Sequence, residues 1–334
     1  MKKRINWLDV SRGIAFMMVI YSHLKYCDEG IMKFFHPIFL TTFFFVSGYL
    51  FKDNQKFMFV FENRTRTLFL PFLILGGIII ILSQIFSFNE HIPLIESIKG
   101  LLFQNGHNQL LWFIAALYVY SLLFYFIAKL SGNVDRLLAV GLILFAFNVA
   151  YSYWLKMPGI PWHFDSVGFG CFYMALGKWY KHHEVEIDKR VNKSLVLVLS
   201  IVYIAVLQFT ELRANWTGSF YIVDSLFLTM LGLIIIVGIS KSKYLNNNHF
   251  MLFVGSNTLF YFAMHGKVYS LLQTIVSKVT PNYLIGENRY YDFLIGGGIA
   301  IATALVLIIP AKFIDKYCPQ ILGKGFKLWK VNKG

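Results

Sequence analysis

The chain has 334 residues, of which 57% are hydrophobic, 18% are aromatic and only 14% are charged. A soluble globular protein carries about 25% charged residues, and the mean hydropathy of +0.58 here comes from apolar runs along the whole chain. These values exclude a soluble, disordered or fibrous protein and indicate an integral membrane protein. The net charge of +14 does not indicate nucleic-acid binding, because the cations fall between apolar runs and form no basic stripe.

The three cysteines, Cys27, Cys171 and Cys318, lie far apart, in or beside apolar segments. This spacing offers neither a disulfide framework nor a Cys-x-x-Cys metal site. The histidines show no metal-ligand spacing beyond the adjacent His182 and His183, which form a poor chelate on a helix. We therefore expect no catalytic metal and no permanently bound cofactor.

Segments of roughly 20 apolar residues, the length that crosses a bilayer as a helix, recur along the chain. The sequence predicts an all-α, polytopic membrane helix bundle with about ten transmembrane helices, near residues 6–27, 34–51, 68–88, 109–128, 136–154, 163–180, 193–210, 218–240, 249–275 and 292–314. With a cytoplasmic N-terminus, the inner side holds 22 Lys and Arg residues and the outer side holds eight. Since cytoplasmic loops are rich in Lys and Arg, both termini are predicted to be cytoplasmic.

No internal repeat and no linker rich in Pro, Gly or Ser divides the chain, so residues 1–334 are predicted to form one integral domain. The longest inner loops are expected at about 52–67 and 181–192. The outer segment 89–108 is expected to contain a short amphipathic or re-entrant piece. The basic tail 315–334 mixes apolar side chains with lysines, which predicts a cytoplasmic amphipathic helix lying on anionic lipid.

Charged side chains within a spanning helix cost about 2.5–3.5 kcal/mol on insertion scales, so they mark functional candidates. In the first predicted helix, Arg12 and His23 are eleven residues apart, which places them on one face, roughly 16 Å apart along the axis. A proton acceptor is then held below the outer surface, with a cation toward the cytoplasm. Alternatively, Arg12 pairs with Asp9 and His23 is simply interfacial.

Three further ionisable residues fall within predicted helices: Asp165, Asp224 and His265. Asp165 follows His163 near the outer end of its helix, where it can bind sugar hydroxyls, orient His23 or serve as an acid at a helix N-terminus. Asp224 is expected to face the bundle interior in a structural role. His265 either lines a site or satisfies a neighbouring polar group.

Several short motifs follow one another along most of the chain. They are Leu8-Asp9-Val10-Ser11-Arg12-Gly13 with His23, Phe44-Phe45-Val46-Ser47-Gly48-Tyr49, Arg64-Thr65-Arg66 with Pro71, Leu111-Trp112-Phe113, Pro161-Trp162-His163-Phe164-Asp165 with Leu176-Gly177, and the segment ending at His265. This ordered set resembles the membrane acyltransferase-3 family, whose R-x10-H signature matches Arg12 and His23. Within it, the set is similar to the branch described as fucose or exopolysaccharide O-acetylases. One departure is Arg64-x-Arg66, where the family commonly has R-x-x-R.

The resemblance implies a multi-pass enzyme of the bacterial cell membrane that O-acetylates carbohydrates, with acetyl-CoA as the acyl donor substrate. Transfer from a thioester to a hydroxyl requires a base and fixed donors for the oxyanion. His23 is the predicted general base, with an acyl-imidazole relay as the alternative. Arg12 is the second predicted catalytic residue, and it binds the donor together with Arg64 and Arg66. Alternatively, Arg64 and Arg66 only belong to a positive-inside loop.

The candidates for substrate binding are Ser47, Tyr49, Trp112, Asp165 and His265. Ser47 can hydrogen-bond to substrate or, beside Gly48, belong to close helix packing. Tyr49 and Trp112 can stack on a sugar or adenine face or serve as ordinary bundle aromatics.

The predicted partners are acyl-CoA, a carbohydrate or lipid-linked sugar acceptor and the lipid bilayer, with no nucleic acid and no assigned oligomeric state. The main rival is a transporter or flippase for polysaccharide precursors, which also places charges within its bundle. Such a protein is expected to show inverted halves with broken helices at matched positions. The polar signature here is concentrated instead in the first helix and the early loops. A receptor or scaffold with structural charges does not account for the ordered motifs.

Overall fold

The computed structural model describes residues 4–85, 92–103, 111–155, 160–209, 222–279 and 289–329. Within these ranges every regular element is a helix, which confirms the all-α prediction. The α-helices are α1 (Asn6–Ser22), α2 (Glu29–Phe35), α3 (Phe39–Tyr49), α4 (Phe57–Arg64), α5 (Leu70–Ile85), α6 (Leu94–Phe103), α7 (Trp112–Ser131), α8 (Val134–Leu155), α9 (Val167–Arg190), α10 (Lys193–Phe209), α11 (Ile222–Lys241), α12 (His249–Ser256), α13 (Thr258–Val279), α14 (Arg289–Val306) and α15 (Ile308–Tyr317). A π-helical turn at Thr65–Phe69 joins α4 to α5, and 3-10 turns cover Pro161–Ser166 and Pro319–Leu322.

Several of these helical segments have the length and composition of membrane spans. Five qualify within the described residues: Gly30–Tyr49, Phe57–Ile85, Trp112–Ser131, Val134–Tyr151 and Arg289–Tyr317. A sixth is reached if Pro161–Arg190 and Lys193–Phe209, which are bent by 102°, form one span. Helices α1 and α10 have 17 residues each, slightly fewer than the roughly 20 of a full crossing. The count of ten spans therefore stays a prediction.

Two predicted helices are divided beside a proline, which has no N–H to donate and whose ring clashes with the preceding turn. The predicted helix 34–51 forms α2 and α3, separated around Pro37. The predicted helix 292–314 is divided at Leu307, three residues before Pro310. The predicted helix 249–275 is also divided, into α12 and α13, at Asn257.

Other helix boundaries also differ from the prediction. The expected loops 52–67 and 181–192 are largely helical, since α4 begins at Phe57 and α9 continues to Arg190. The first helix ends at Ser22, before the predicted residue 27. The tail has a 3-10 turn where an amphipathic helix was expected. Part of segment 89–108 and the side chain of Asp224 lie outside the described residues.

Helix α1 occupies the middle of the bundle, where it packs against α3, α11, α12, α13 and α14. Helix α3 packs closely on α9, and small residues permit the approach. A Cβ atom at Gly48 would overlap the carbonyl of Met174, and one at Gly177 would overlap the carbonyl of Phe45. The two glycines thus let the backbones of α3 and α9 approach closely.

Polar side chains join the helices at the end of the bundle where α1 begins. The ammonium of Lys241 donates to Tyr180 at 2.8 Å, to Glu184 at 2.6 Å and to Asp188 at 2.7 Å. The same ammonium lies 4.7 Å from the ring centroid of Trp7 in α1. This end carries the network of structural charges, and His23 lies at the other end of α1.

Candidate active site

A cavity of about 180 Å³ opens at the C-terminal end of α1. Its walls come from α1, α2, the start of α3, the start of α7 and the middle of α13. Three histidines line it, together with a largely apolar set of side chains: Val19, Ser22, Met32, Phe39, Leu40, Trp112, Phe113 and Phe262. The histidines are His23, His36 and His265.

His23 immediately follows α1 and caps its C-terminus. Its Nδ1 lies 2.8 Å from the carbonyl oxygen of Val19. Because a carbonyl only accepts hydrogen bonds, Nδ1 donates and Nε2 is left as the unprotonated nitrogen of the neutral ring. The side chain is exposed, so Nε2 is accessible to a hydroxyl that enters the cavity. This is the arrangement that a general base requires.

His265 lies opposite His23 and is only 1% exposed. Its Nδ1 is 3.0 Å from the carbonyl oxygen of Tyr261 and 3.1 Å from that of Phe262, so this ring also donates through Nδ1. Its Nε2 has no hydrogen-bond partner within the described part of the chain. A buried polar atom without a partner is uncommon in folded proteins and suits a group that meets a ligand.

His36 is the third histidine of the cavity, and no motif in the sequence marks it as a site residue. Its Nε2 is buried and has no hydrogen-bond partner among the described residues. His36 lies between α2 and α3, whereas His23 and His265 belong to other elements. No spacing along the chain predicts the meeting, because it depends on how α2 packs beside α1.

Trp112 contributes the cavity wall on the side of α7. Its ring centroid lies 4.4 Å from that of His163, which belongs to the 3-10 turn Pro161–Ser166. Trp162 and His163 both have positive φ angles, 63° and 51°, a conformation that non-glycine residues rarely adopt. Tyr120 fixes this strained turn by donating to the carbonyl oxygen of His163 at 2.5 Å.

Asp165 lies in the same turn, next to the cavity wall and outside the set of residues that line the cavity. Its Oδ1 is buried and has no hydrogen-bond partner among the residues that the structure describes. The structure thus brings His23, His265 and Trp112 to one cavity, and Asp165 belongs to the turn whose His163 packs against Trp112.

Arg12 lies deeper in α1 and is held by an acidic neighbour. Its guanidinium forms an ion pair with Asp9, which is 4% exposed and also accepts from Arg4. The pairing that the sequence left as an alternative is therefore present. The Nε atom of Arg12 is nevertheless buried without a hydrogen-bond partner in the described ranges, so this guanidinium retains a free donor.

Arg64 and Arg66 differ in their surroundings although they are two residues apart. Arg66 donates to Glu62 at 2.9 Å, to Asn63 at 3.0 Å and to the carbonyl of Gly323 in the C-terminal tail. Arg64 is half-buried and makes no hydrogen bond or ion pair with any described residue. It ends α4, immediately before the π-helical turn, an irregularity found often at functional sites.

Ser47 and Tyr49 lie in the half of α3 that points away from the cavity. The lining residue Leu40 and Ser47 are seven residues apart, which is roughly 10 Å along a helix. The hydroxyl of Tyr49 donates to Glu184 at 2.5 Å, so Tyr49 belongs to the polar network near the start of α1. The structure does not bring these two candidates to His23.

No group of three or more His, Cys, Asp or Glu side chains among the described residues has an arrangement that could hold a metal ion. The cavity presents imidazole nitrogens and aromatic faces.

The fold and the cavity together define a multi-pass helical membrane protein with a histidine site at one end of its central helix. Residues 5–311 match the family model described as "Acyltransferase domain". The chain therefore belongs to the acyltransferase-3 family, as its ordered motifs predicted, and the match supports acyltransferase activity. No curated protein and no solved structure matches the chain.

Proposed function

We propose that this protein is an O-acetyltransferase that moves an acetyl group from acetyl-CoA to a hydroxyl of a surface or exopolysaccharide sugar. The observation that carries the proposal is the exposed His23 in the cavity wall, because the contact of its Nδ1 with the carbonyl oxygen of Val19 leaves Nε2 as the unprotonated nitrogen. Family membership supplies the reaction class. The cavity supplies a place where a hydroxyl and a thioester can meet beside that nitrogen.

In the proposed reaction, His23 Nε2 accepts the proton of the sugar hydroxyl while the oxygen attacks the thioester carbonyl carbon. The new C–O bond forms, the C–S bond breaks, and the departing thiolate takes the proton back from the imidazolium. The contacts of His265 Nδ1 with two carbonyl oxygens imply that its Nε2 is an acceptor, so it can accept a hydrogen bond from a neighbouring hydroxyl of the sugar and orient the acceptor before transfer. Positioning of this kind lowers the barrier by restricting the reactants to a reactive geometry.

The size of the cavity favours a short acyl group. About 180 Å³ is enclosed partly by Leu40, Phe113 and Phe262, which leaves little room for a longer chain beside the sugar hydroxyl. This volume is the support for acetyl as the transferred group.

Arg64 is the first candidate for the phosphates of acetyl-CoA, because its guanidinium has no partner among the described residues. Guanidinium groups bind phosphate through paired N–H donors. Arg66 lies beside it but is bound to Glu62 and the tail, so we assign it a supporting role. Arg12 offers its free Nε at a level roughly 16 Å from His23 along α1, a distance that the pantetheine arm has to cover.

The proposed topology has about ten spans with both termini in the cytoplasm, in the cell membrane of a bacterium. It rests on the division of Lys and Arg between the predicted inner and outer loops. His23 then lies toward the outer side, where the acceptor arrives as a polymer or a lipid-linked sugar, and the donor enters from the cytosol.

The test compares wild type with His23→Ala at matched membrane levels. The O-acetyl content of the host's surface polysaccharide is measured by NMR before and after mild base, together with the amount of polymer. Normal polymer without O-acetyl groups is the expected result for His23→Ala. His249→Ala is the matched control, because His249 is exposed and begins α12, far from the cavity. Unchanged acetylation in His23→Ala would overturn the proposal, and missing or trapped polymer would favour a transporter.

A further inference from the structure

A second cavity, of about 670 Å³, lies on the other side of α2 from the histidine cavity. Its polar lining contrasts with the apolar walls around His23. The polar and charged side chains are Asp28, Lys33, Gln208, Arg289 and Asp292. They come from α2 and the turn before it, from the end of α10 and from the start of α14.

Helix α2 is the shared wall of the two cavities. Met32 in α2 and His36, which directly follows α2, line the histidine cavity. Gly30, Lys33 and Phe34 line the second cavity. Residues three or four apart share a helical face, so the two sets project to opposite sides of α2. The two cavities are thus separated by about one helix diameter, roughly 10–12 Å with side chains. A carbohydrate chain bound at His23 would have to cover this distance to reach the second cavity.

The second cavity is built around a fixed carboxylate. Asp28 is 8% exposed and accepts from Arg289 Nε at 2.7 Å and Nη2 at 3.2 Å. It also accepts from the backbone N–H of Ile31 at 3.0 Å, which caps α2. A Cβ atom at Gly30 would overlap the Arg289 guanidinium, so glycine at this position lets the arginine reach Asp28.

Two polar side chains remain available for a ligand. Neither Lys33 nor Gln208 makes a hydrogen bond or an ion pair with another described residue. Lys33 offers three donors, and Gln208 offers two donors and an acceptor. A hydroxyl group both donates and accepts, so it can satisfy both side chains.

The balance of charge selects the class of ligand. The lining contains the cations Lys33 and Arg289 and the carboxylates Asp28 and Asp292, so its formal charges sum to zero. An anionic ligand would meet two carboxylates and a cationic ligand would meet two cations. A neutral polyhydroxyl compound can hydrogen-bond to the donors and acceptors of the lining without electrostatic repulsion from either set of charges. A few polar groups in fixed positions are enough to orient such a ligand.

We propose that this cavity is an acceptor subsite that binds a neutral sugar unit of the carbohydrate whose reacting hydroxyl lies at His23. Lys33 and Gln208 hold the sugar hydroxyls, and the Asp28–Arg289 pair keeps the wall rigid. The inference rests on the proposed function for its acceptor, and it adds a binding site and a preference for a neutral neighbouring sugar.

The experiment uses the full chain in lipid nanodiscs and the variants Lys33→Ala and Gln208→Ala. The probe is the host's own surface oligosaccharides, stripped of O-acetyl groups by mild base and separated by ion exchange into neutral and anionic fractions. Binding is measured by saturation-transfer NMR, and acetyl transfer and acceptor-free hydrolysis of acetyl-CoA are measured in parallel. Lys278→Ala is the matched control, because Lys278 is exposed near the same end of the bundle and lines neither cavity.

Loss of one such hydrogen bond is expected to raise the acceptor KM and the dissociation constant of the neutral fraction roughly tenfold. The KM for acetyl-CoA and the acceptor-free hydrolysis stay at wild-type values, as do all properties of Lys278→Ala. Unchanged acceptor affinity in both cavity variants, or binding of the anionic fraction alone, overturns the inference. The proposed function is contradicted if the wild type binds the neutral fraction but neither hydrolyses acetyl-CoA nor transfers acetyl. In that case the binding data alone still show whether the second cavity binds a neutral sugar.

Discussion

His23 and His265 meet edge to face, with ring centroids 5.4 Å apart. Each donates its Nδ1 proton to a carbonyl four residues earlier, His23 to Val19 and His265 to Tyr261. The two rings therefore have the same tautomer and turn their Nε2 atoms outward from their own backbones. His23 is exposed, which suits a general base, whereas His265 is buried, which suits a group that positions the substrate.

Replacement of His265 by Leu is expected to separate stability from activity. The ring is buried and its Nε2 has no partner among the described residues, so an apolar side chain of similar volume removes an unsatisfied polar atom. We expect an unchanged or higher melting temperature and a fall in kcat of at least tenfold. Thermal unfolding in nanodiscs and steady-state acetyl transfer provide the two measurements. Wild-type kcat in His265→Leu would assign the residue to packing alone.

The arginines at positions 64 and 66 are expected to give different defects. Arg64→Ala removes a guanidinium without partners among the described residues, so the KM for acetyl-CoA should rise about tenfold at unchanged stability. Arg66→Ala removes the contacts with Glu62 and the carbonyl of Gly323, so the tail after residue 318 should become sensitive to limited proteolysis. The two variants serve as controls for each other, and the same phenotype in both would contradict this division of roles.

The contact between α3 and α9 is expected to tolerate no added methyl group at position 48. Gly48→Ala would place a Cβ atom against the carbonyl of Met174, and forced overpacking costs about 1–3 kcal/mol. Gly77→Ala is the matched control, because a Cβ atom there meets nothing within 4 Å and alanine is a better helix former by up to about 1 kcal/mol. Thermal unfolding in nanodiscs should show a lower melting temperature for Gly48→Ala only. Equal melting temperatures for the two variants would show that α3 and α9 can move apart without cost.

The ion pair that anchors α2 is expected to depend on pH. The hydrogen bonds from Arg289 are the largest cause that lowers the pKa of Asp28 below its ordinary value of 3.8. A carboxylate whose pKa is lowered in the folded state stabilises the protein at pH values above its pKa in the unfolded state. This stabilisation is lost as the pH falls through the pKa of the folded state. Asp28→Asn should thus lower the melting temperature at pH 7, and its difference from wild type should shrink below about pH 3.8. A difference that is constant from pH 7 to pH 3 would contradict this assignment.

Part of the candidate site carries a signal in the sequence. His23 and His265 are polar residues in apolar surroundings, and Trp112 belongs to a motif, so each carries a local signal. The structure places all three on one cavity. His36 has no such signal, because it follows a short helix beside Pro37 and reaches the cavity only through the packing of α2. Ser47 and Tyr49 do carry a motif, yet they lie at the other end of α3 from the cavity.

By itself, the amino-acid sequence determined the membrane environment, the all-helical class and the family, because apolar length, helical periodicity and ordered motifs are local properties of the chain. It also predicted that Arg12 and His23 lie on one face of the first helix, because residues eleven apart differ by only about 20° around a helix axis. Only the tertiary structure decided which histidines meet, that Arg12 is paired with Asp9 and that Arg64 is not paired with any described residue. These relationships join residues distant in sequence, and they depend on helix packing, which no local pattern encodes.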